Sequence, residues 1–269
     1  MTAFARRVAA LAAVPEERLE RLAGGDLSEA LLVPRADGRR SVAKGGPAVA
    51  AEAAMLRAIA GAGIPAPRVE SEHEGLLFLE FVDNDRVFSP AAWRDLGAWV
   101  NQLHSRRGER YGWPADYRIG TVELDNRETE SWPDFWAERR LVATARVLDR
   151  PWRERIEALA ATLGDRLPAA PPPAFLHGDL WGGNILVRDG CLAALIDPAC
   201  YHGDSEVDLA MLTLFDTPGA EFWAAYGALE PGWEERRAIY QLFPALIHLR
   251  LFGGGYAGMV DRLLAASGA

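Results

Sequence analysis

The 269-residue sequence predicts an α+β fold in which a small antiparallel sheet precedes a larger, mainly helical part. Three observations predict it. Two short runs with strand character, about 27–33 and 40–44, flank the turn "RADG" and read as a hairpin. From about residue 83 onward, apolar residues recur mostly at helical spacing. The composition shifts at that same point, which divides the chain into residues 1–82 and residues 83–269.

The elements follow in order. Residues 3–23 read as one amphipathic helix or two, with Pro15 starting the second. The hairpin comes next. "AVAAEAAMLRAIAGAG" is a helix of strong propensity that ends at glycines before the breaker "IPAP". "GLLFLEFV" is a buried strand. "SPAAWRDLGAWVNQLHS" has a Ser N-cap and an apolar stripe at Trp93, Leu96, Val100 and Leu103. "SWPDFWAERRLVATARVL" and "PWRERIEALAATL" are further helices, and "PAAPPPA" is a proline-rich break. Two short strands, "NILVRDG" and "LAALIDP", precede helices that run to the end. No internal repeat is visible.

Composition narrows the function classes. A formal net charge of −9 argues against a nucleic-acid or anionic-membrane partner and suits a neutral or cationic small molecule. Cys191 and Cys200 have neither disulfide-framework nor metal-ligand spacing and read as reduced, buried thiols of a cytoplasmic protein. The apolar stretch "VAALAAV" is short and runs into the charged "PEERLERL", so no export signal is expected. No run of about 18 apolar residues is present to span a membrane. Lys44 is the only lysine among 29 basic residues. An ammonium and a guanidinium differ in shape and hydrogen bonding, so a site needing the former does not accept the latter; composition alone equally allows the chance survival of one surface lysine.

The chemistry concentrates in "FLHGDLWGGNIL". Asp179 and Asn184 stand at the spacing D-x-x-x-x-N, and Asp197 follows thirteen residues later at the end of "LAALI". Phosphoryl transfer from ATP needs one carboxylate to take or orient the proton of the attacking hydroxyl. It also needs an amide oxygen and a second carboxylate as hard ligands for Mg²⁺. Gly182 and Gly183 are expected to let the backbone turn, and His177 to orient the loop without moving a proton. Glu52 shares the apolar face of its helix with Leu56 and Ile59, and an inward carboxylate is costly unless paired. Lys44, at the end of the preceding strand, is its expected partner, and the pair would meet the α- and β-phosphates. Backbone around Gly25 and the Ser28 hydroxyl would cover the phosphates. The Glu80 carbonyl and the Val82 amide, at the end of the buried strand, would pair with adenine. From Asp197 to Asp208 is only eleven residues, too few for a protein-kinase activation segment, and Asp208 is expected to cap its helix and brace the loop.

With these residues assembled, "LHGDLWGGNILV", "LIDPACYHGDSEVDLAML" and "YQLFPALIHLRLFGGGY" resemble the fructosamine kinase (ketosamine-3-kinase) family. That family lies within the aminoglycoside and choline phosphotransferase group of two-lobed, protein-kinase-like folds. "YGWPADYRIGTVELDN" and "SWPDFWAERRL" match its middle region, so the resemblance covers nearly the whole chain. It implies transfer of the ATP γ-phosphoryl to the 3-hydroxyl of a ketosamine, carried on a small amine or on a protein lysine, in a deglycation repair role. It implies Asp179 as catalytic base, Asn184 and Asp197 as Mg²⁺ ligands and Lys44 with Glu52 as the phosphate-positioning pair. Trp181 would offer the sugar an apolar face, or else pack in the core. Where the family commonly has Gln and His, this chain has Leu124 and Asp204. Its phosphate loop also lacks the cysteine of redox-sensitive members. An aminoglycoside or other amino-sugar kinase would use the same acids and differ in the insert at 85–165. A pseudokinase would usually have lost one of the acids or the lysine.

Overall fold

A computed structural model describes residues 2–22 and 29–269; the predicted phosphate-loop positions Gly25 and Ser28 lie outside them. Among the described residues the first part is an antiparallel sheet in the order β1-β2-β3-β5-β4. Its strands are β1 (Glu20–Arg21), β2 (Ala30–Pro34), β3 (Arg40–Gly45), β4 (Val69–His73) and β5 (Leu76–Glu80). The run "LLFL" in β5 is buried throughout because both faces of the sheet are covered. Leu76 and Phe78 pack with Val8 of helix α1 (Ala3–Ala12), whereas Leu77 and Leu79 pack with Val49, Ala53 and Leu56 of α2 (Val49–Gly61). Lys44 sits in the central strand, opposite Ala30 on one side and Leu77 on the other.

Two local expectations change here. Pro15 starts only a 3₁₀ turn, Glu16–Arg18, because the chain then enters β1. The polar "VESEH" forms β4, an edge strand whose half-exposed face carries no apolar alternation to announce it.

An extended segment after β5 leads into α3 (Pro90–Ser105), where Ser89 caps the helix by accepting from the Ala92 amide at 3.1 Å. The region 85–165 is not wholly helical: it contains a hairpin, β6 (Tyr117–Ile119) and β7 (Val122–Leu124). Helical segments follow at α4 (Trp132–Asp134), a π-helical stretch Phe135–Val142, α5 (Ala143–Ala145), α6 (Arg150–Ala160) and α7 (Leu163–Arg166). The π stretch buries Arg140 completely against the rings of Phe135 and Tyr201. Its guanidinium donates to Asn126 Oδ1 at 2.6 Å and to the Asp125 carbonyl at 2.9 Å, clamping the base of the hairpin.

Two small two-stranded sheets then frame the quoted loop. Strands β8 (Ala174–Leu176) and β11 (Tyr201–Gly203) pair with each other, as do β9 (Ile185–Arg188) and β10 (Cys191–Leu195). Helices α8 (Glu206–Phe215), α9 (Ala220–Tyr226), α10 (Trp233–Phe252) and α11 (Ala257–Ala266) complete the chain. Cys200 is buried as expected, but Cys191 is exposed at the start of the β10 edge strand. Among the described residues no helix is long and apolar enough to cross a membrane.

Candidate active site

A cavity of about 870 Å³ separates the sheet from the helical part, in the size range of small-molecule sites. Lys44, Glu52, Glu80, Val82, Asp179, Trp181, Asn184 and Asp197 all line it, so every predicted site residue among those described meets in one space.

From the sheet side, Lys44 Nζ lies 2.6 Å from Glu52 Oε1 and 2.6 Å from Asp197 Oδ1. Burial alone would lower the pKa of the ammonium, but the two carboxylates outweigh it and raise the value, so Lys44 stays charged. Glu52 is buried on the inner face of α2, as its spacing with Leu56 and Ile59 required. Asp197 keeps nearly half its side chain open to the cavity and holds a positive φ of 53°, a strained backbone for a non-glycine residue.

From the loop side, Asn184 Nδ2 donates to Asp179 Oδ2 at 2.9 Å and to the Asp179 carbonyl at 2.8 Å. Both partners are oxygens, so the amide nitrogen must face Asp179, which leaves Asn184 Oδ1 available. Asp179 keeps some surface toward the cavity yet lies deep in the protein. Burial pushes its pKa up to about 7, with Asp197 and Asp208 adding to the rise and the Asn184 hydrogen bond opposing it.

The loop is held from below. Asp208 accepts from the His177 amide at 2.7 Å and from the Gly178 amide at 2.8 Å, and its Oδ2 meets His104 Nε2 at 3.0 Å. It therefore braces the loop as expected but does not cap α8, whose N-cap position is Ser205. The His177 tautomer follows from its partners. Nε2–H donates to the Ile196 carbonyl at 3.1 Å, and Nδ1 accepts from the Asp179 amide at 3.3 Å. Burial lowers its pKa and keeps it neutral, consistent with an orienting role.

A third glycine of the loop carries the backbone strain. The left-handed position is Gly178, φ 81°, where a Cβ would stand 2.0 Å from the Ala199 carbonyl oxygen. Gly182 and Gly183 lie in the expected tight turn, a 3₁₀ segment Gly182–Asn184, and also allow close approach to the Asp216 carboxylate and the Trp181 ring. Asp216, which no sequence signal marked, accepts from the Gly182 amide at 2.7 Å. Trp181 is only partly buried and meets Phe215 edge-on at 5.9 Å between ring centroids.

The departures Leu124 and Asp204 are both buried, and neither lines the cavity. Asp204 accepts from the Tyr240 hydroxyl at 2.7 Å, while Leu124 pairs across the hairpin with Tyr117, a cavity residue that sequence reasoning missed. Among the described residues no group of three or more His, Cys, Asp or Glu side chains could hold a metal ion. The donor set of Asn184 Oδ1 and the Asp197 carboxylate instead fits a hard divalent cation that keeps water and takes phosphate oxygens.

A family model described as fructosamine kinase matches residues 9–267. A probable ketoamine kinase of Synechocystis is 36% identical over 229 residues, covering 80% of this chain and 76% of the relative. A probable ketoamine kinase of Thermus thermophilus is 37% identical over 224 residues, covering 81% of each chain. The crystal structure of a putative fructosamine-3-kinase from Thermobifida fusca superposes with a TM-score of 0.86 at 30% identity, covering 98% of both chains.

Proposed function

The chain belongs to the fructosamine kinase family of ATP-dependent phosphotransferases, and we propose that it transfers the γ-phosphoryl of ATP to the 3-hydroxyl of a ketosamine. The observation that carries this reading is the polar chain across one cavity: Glu52 to Lys44 to Asp197, facing the pair Asp179 and Asn184. Residues 1–82 would act as the nucleotide-covering lobe and residues 83–269 as the lobe bearing catalytic loop and acceptor site.

In this reading Lys44, held by Glu52, contacts the α- and β-phosphates. The Glu80 carbonyl and the Val82 amide, at the cavity edge, pair with adenine. Asn184 Oδ1 and Asp197 would hold Mg²⁺, which would supply positive charge against that of the phosphates. Asp179, with a pKa of about 7, is basic enough near neutral pH to take the acceptor hydroxyl's proton. Trp181 gives the acceptor sugar a flat apolar face. The acceptor is a small ketosamine or the glycated lysine of a protein, and the product's breakdown would release the amine in a cytoplasmic repair role.

The test is ATP consumption, with Mg²⁺, against ribulose-, erythrulose- and fructose-derived ketosamines and a set of aminoglycosides, run beside Asp179→Asn. Turnover on a ketosamine that vanishes in the variant is the expected result. Turnover on aminoglycosides alone would overturn the ketosamine assignment.

A further inference from the structure

Among the polar side chains that line the cavity and that the proposed mechanism does not use is Tyr117, with its hydroxyl. Tyr117 opens strand β6, where its cross-strand partner is Leu124, and Ile119 faces Val122. Leu124 and Val122 are buried, whereas Arg118 and Glu123, on the other face, form an exposed ion pair at 2.6 Å, with Arg118 also reaching the cavity lining. The alternation therefore turns Tyr117 inward.

The base of the hairpin is fixed. Asp116 Oδ1 accepts from the Asn126 amide at 2.8 Å, Asn126 Nδ2 donates to the Ala115 carbonyl at 3.2 Å, and buried Arg140 grips Asn126 Oδ1. Such a clamp holds the ring in place without help from a ligand. Burial, and then Glu52, Asp197 and Asp179, act on the Tyr117 hydroxyl and raise its pKa well above the usual phenol range. Tyr117 lines the same cavity as Lys44, Glu52, Asp179 and Asp197, which belong to the phosphate-positioning pair, the proposed base and the proposed metal position, so its hydroxyl opens onto the space where a terminal phosphate would lie. No described residue hydrogen-bonds it.

We propose that the Tyr117 hydroxyl donates a hydrogen bond to the γ-phosphoryl group of the bound nucleotide. The inference rests on the phosphotransfer reading but not on the identity of the acceptor. Three carboxylates and a single ammonium make this centre net negative before a triphosphate arrives. A neutral donor that cannot ionise at working pH adds stabilisation for the transferring phosphoryl without burying another charge.

Tyr117→Phe removes one oxygen and leaves the ring packed against the hairpin. Calorimetric titration of wild type and variant with Mg·ADP and Mg·AMP-PNP isolates the γ-phosphate contact. The variant should keep its ADP affinity within about twofold and lose roughly tenfold of the advantage of AMP-PNP over ADP, the size of one hydrogen bond to a charged group. In turnover, kcat should fall about 10- to 100-fold with the acceptor KM unchanged. An undiminished AMP-PNP advantage would overturn the inference. A raised acceptor KM at constant kcat would also overturn it, because the hydroxyl would then be reading the sugar. If wild type phosphorylates no ketosamine yet the variant loses the AMP-PNP advantage, the contact stands and only the acceptor assignment falls.

Discussion

The two ends of the cavity are built on different physics. At the phosphate end, Lys44, Glu52, Asp179, Asn184 and Asp197 form two hydrogen-bonded sets at 2.6 to 2.9 Å, largely out of water. At the other end the wall is made of rings: His248 lies 5.0 Å from Tyr256 and 5.5 Å from Phe252 between centroids, and Phe215, outside the lining, backs His248 at 4.7 Å. A buried ion pair loses most of its value if one partner moves or leaves, because the other charge is stranded. A ring wall offers area, and area tolerates shifts of a few tenths of an ångström. Substitutions at the phosphate end should therefore act on kcat and by orders of magnitude. Those at the ring end should act on acceptor KM and by single-digit factors.

The largest effect should come from Asp179→Asn, which keeps the shape of the loop but removes the proton acceptor. A fall in kcat of about 10³-fold is expected, within the span of general-base losses. Nucleotide affinity should hold, since Lys44 and Asp197 are untouched. A retained kcat in single-turnover assays would break the contrast at its strongest point. Next is Lys44→Arg. The guanidinium is wider than the ammonium and cannot sit 2.6 Å from both Glu52 and Asp197, so kcat/KM for ATP should drop about 10²-fold despite the conserved charge. Wild-type kinetics in that variant would show that charge alone suffices.

The same contrast explains what could be read from the sequence. Glu52 announced itself as an acid at an apolar helix position, and Lys44 as the lone lysine of an arginine-rich chain, because burying either charge requires the other. Asp179, Asn184 and Asp197 were legible from their spacing, D-x-x-x-x-N with a second acid thirteen residues on, which phosphoryl transfer needs. The ring end was not, because Phe252 and His248 on α10 follow the same spacing that core helices use. Trp181 reads equally as sugar face or core in the sequence, and in the structure it is partly buried and lines the cavity. The β6–β7 hairpin escaped because strands of three residues carry too little alternation to stand out. Asp208 was placed in the right service by the wrong route. Its carboxylate reaches back to the His177 and Gly178 amides, a contact between elements thirty residues apart that no local pattern encodes.

The phosphate end should also respond to pH. Burial, reinforced by Asp197 and Asp208, holds the Asp179 pKa near 7, so the carboxylate protonates as pH falls through that value. A base that must be ionised then loses activity on the acid side. The value of kcat/KM for the acceptor should fall tenfold per pH unit below about 7. Bound Mg²⁺ beside Asp197 would shift that limb downward by favouring the ionised form. The sign for stability is the opposite of a salt-bridged acid. The folded state binds the proton more tightly than the unfolded chain, so this group makes folding less favourable as pH rises from about 4 to 7. A pH–rate profile with its acid limb at about 4 would mean that Asp179 is solvated like an ordinary carboxylate.

The smallest effect belongs to the ring end and tests whether it is a binding wall at all. Phe252 lines the cavity with 42% of its surface exposed, a large apolar side chain left uncovered at the end of α10. Behind it, His248 Nδ1–H donates to the Pro244 carbonyl at 2.8 Å, and burial lowers the ring's pKa, so His248 is neutral and presents only an acceptor nitrogen. None of His248, Phe252 and Tyr256 carries a charge that would attract a polycation, so the wall suits the sugar and carbon skeleton of a ketosamine better than an aminoglycoside's ammonium groups. Covering the exposed half of a phenylalanine is worth about 1 kcal/mol. Phe252→Ala should accordingly raise the ketosamine KM roughly fivefold while kcat and the KM for ATP stay within twofold. Because the side chain is half in solvent already, the thermal midpoint should barely move, which separates lost binding from lost packing. A kcat defect in this variant would mean that the rings align the acceptor hydroxyl with Asp179, and the division between the two ends would then be one of residue chemistry rather than of catalytic role.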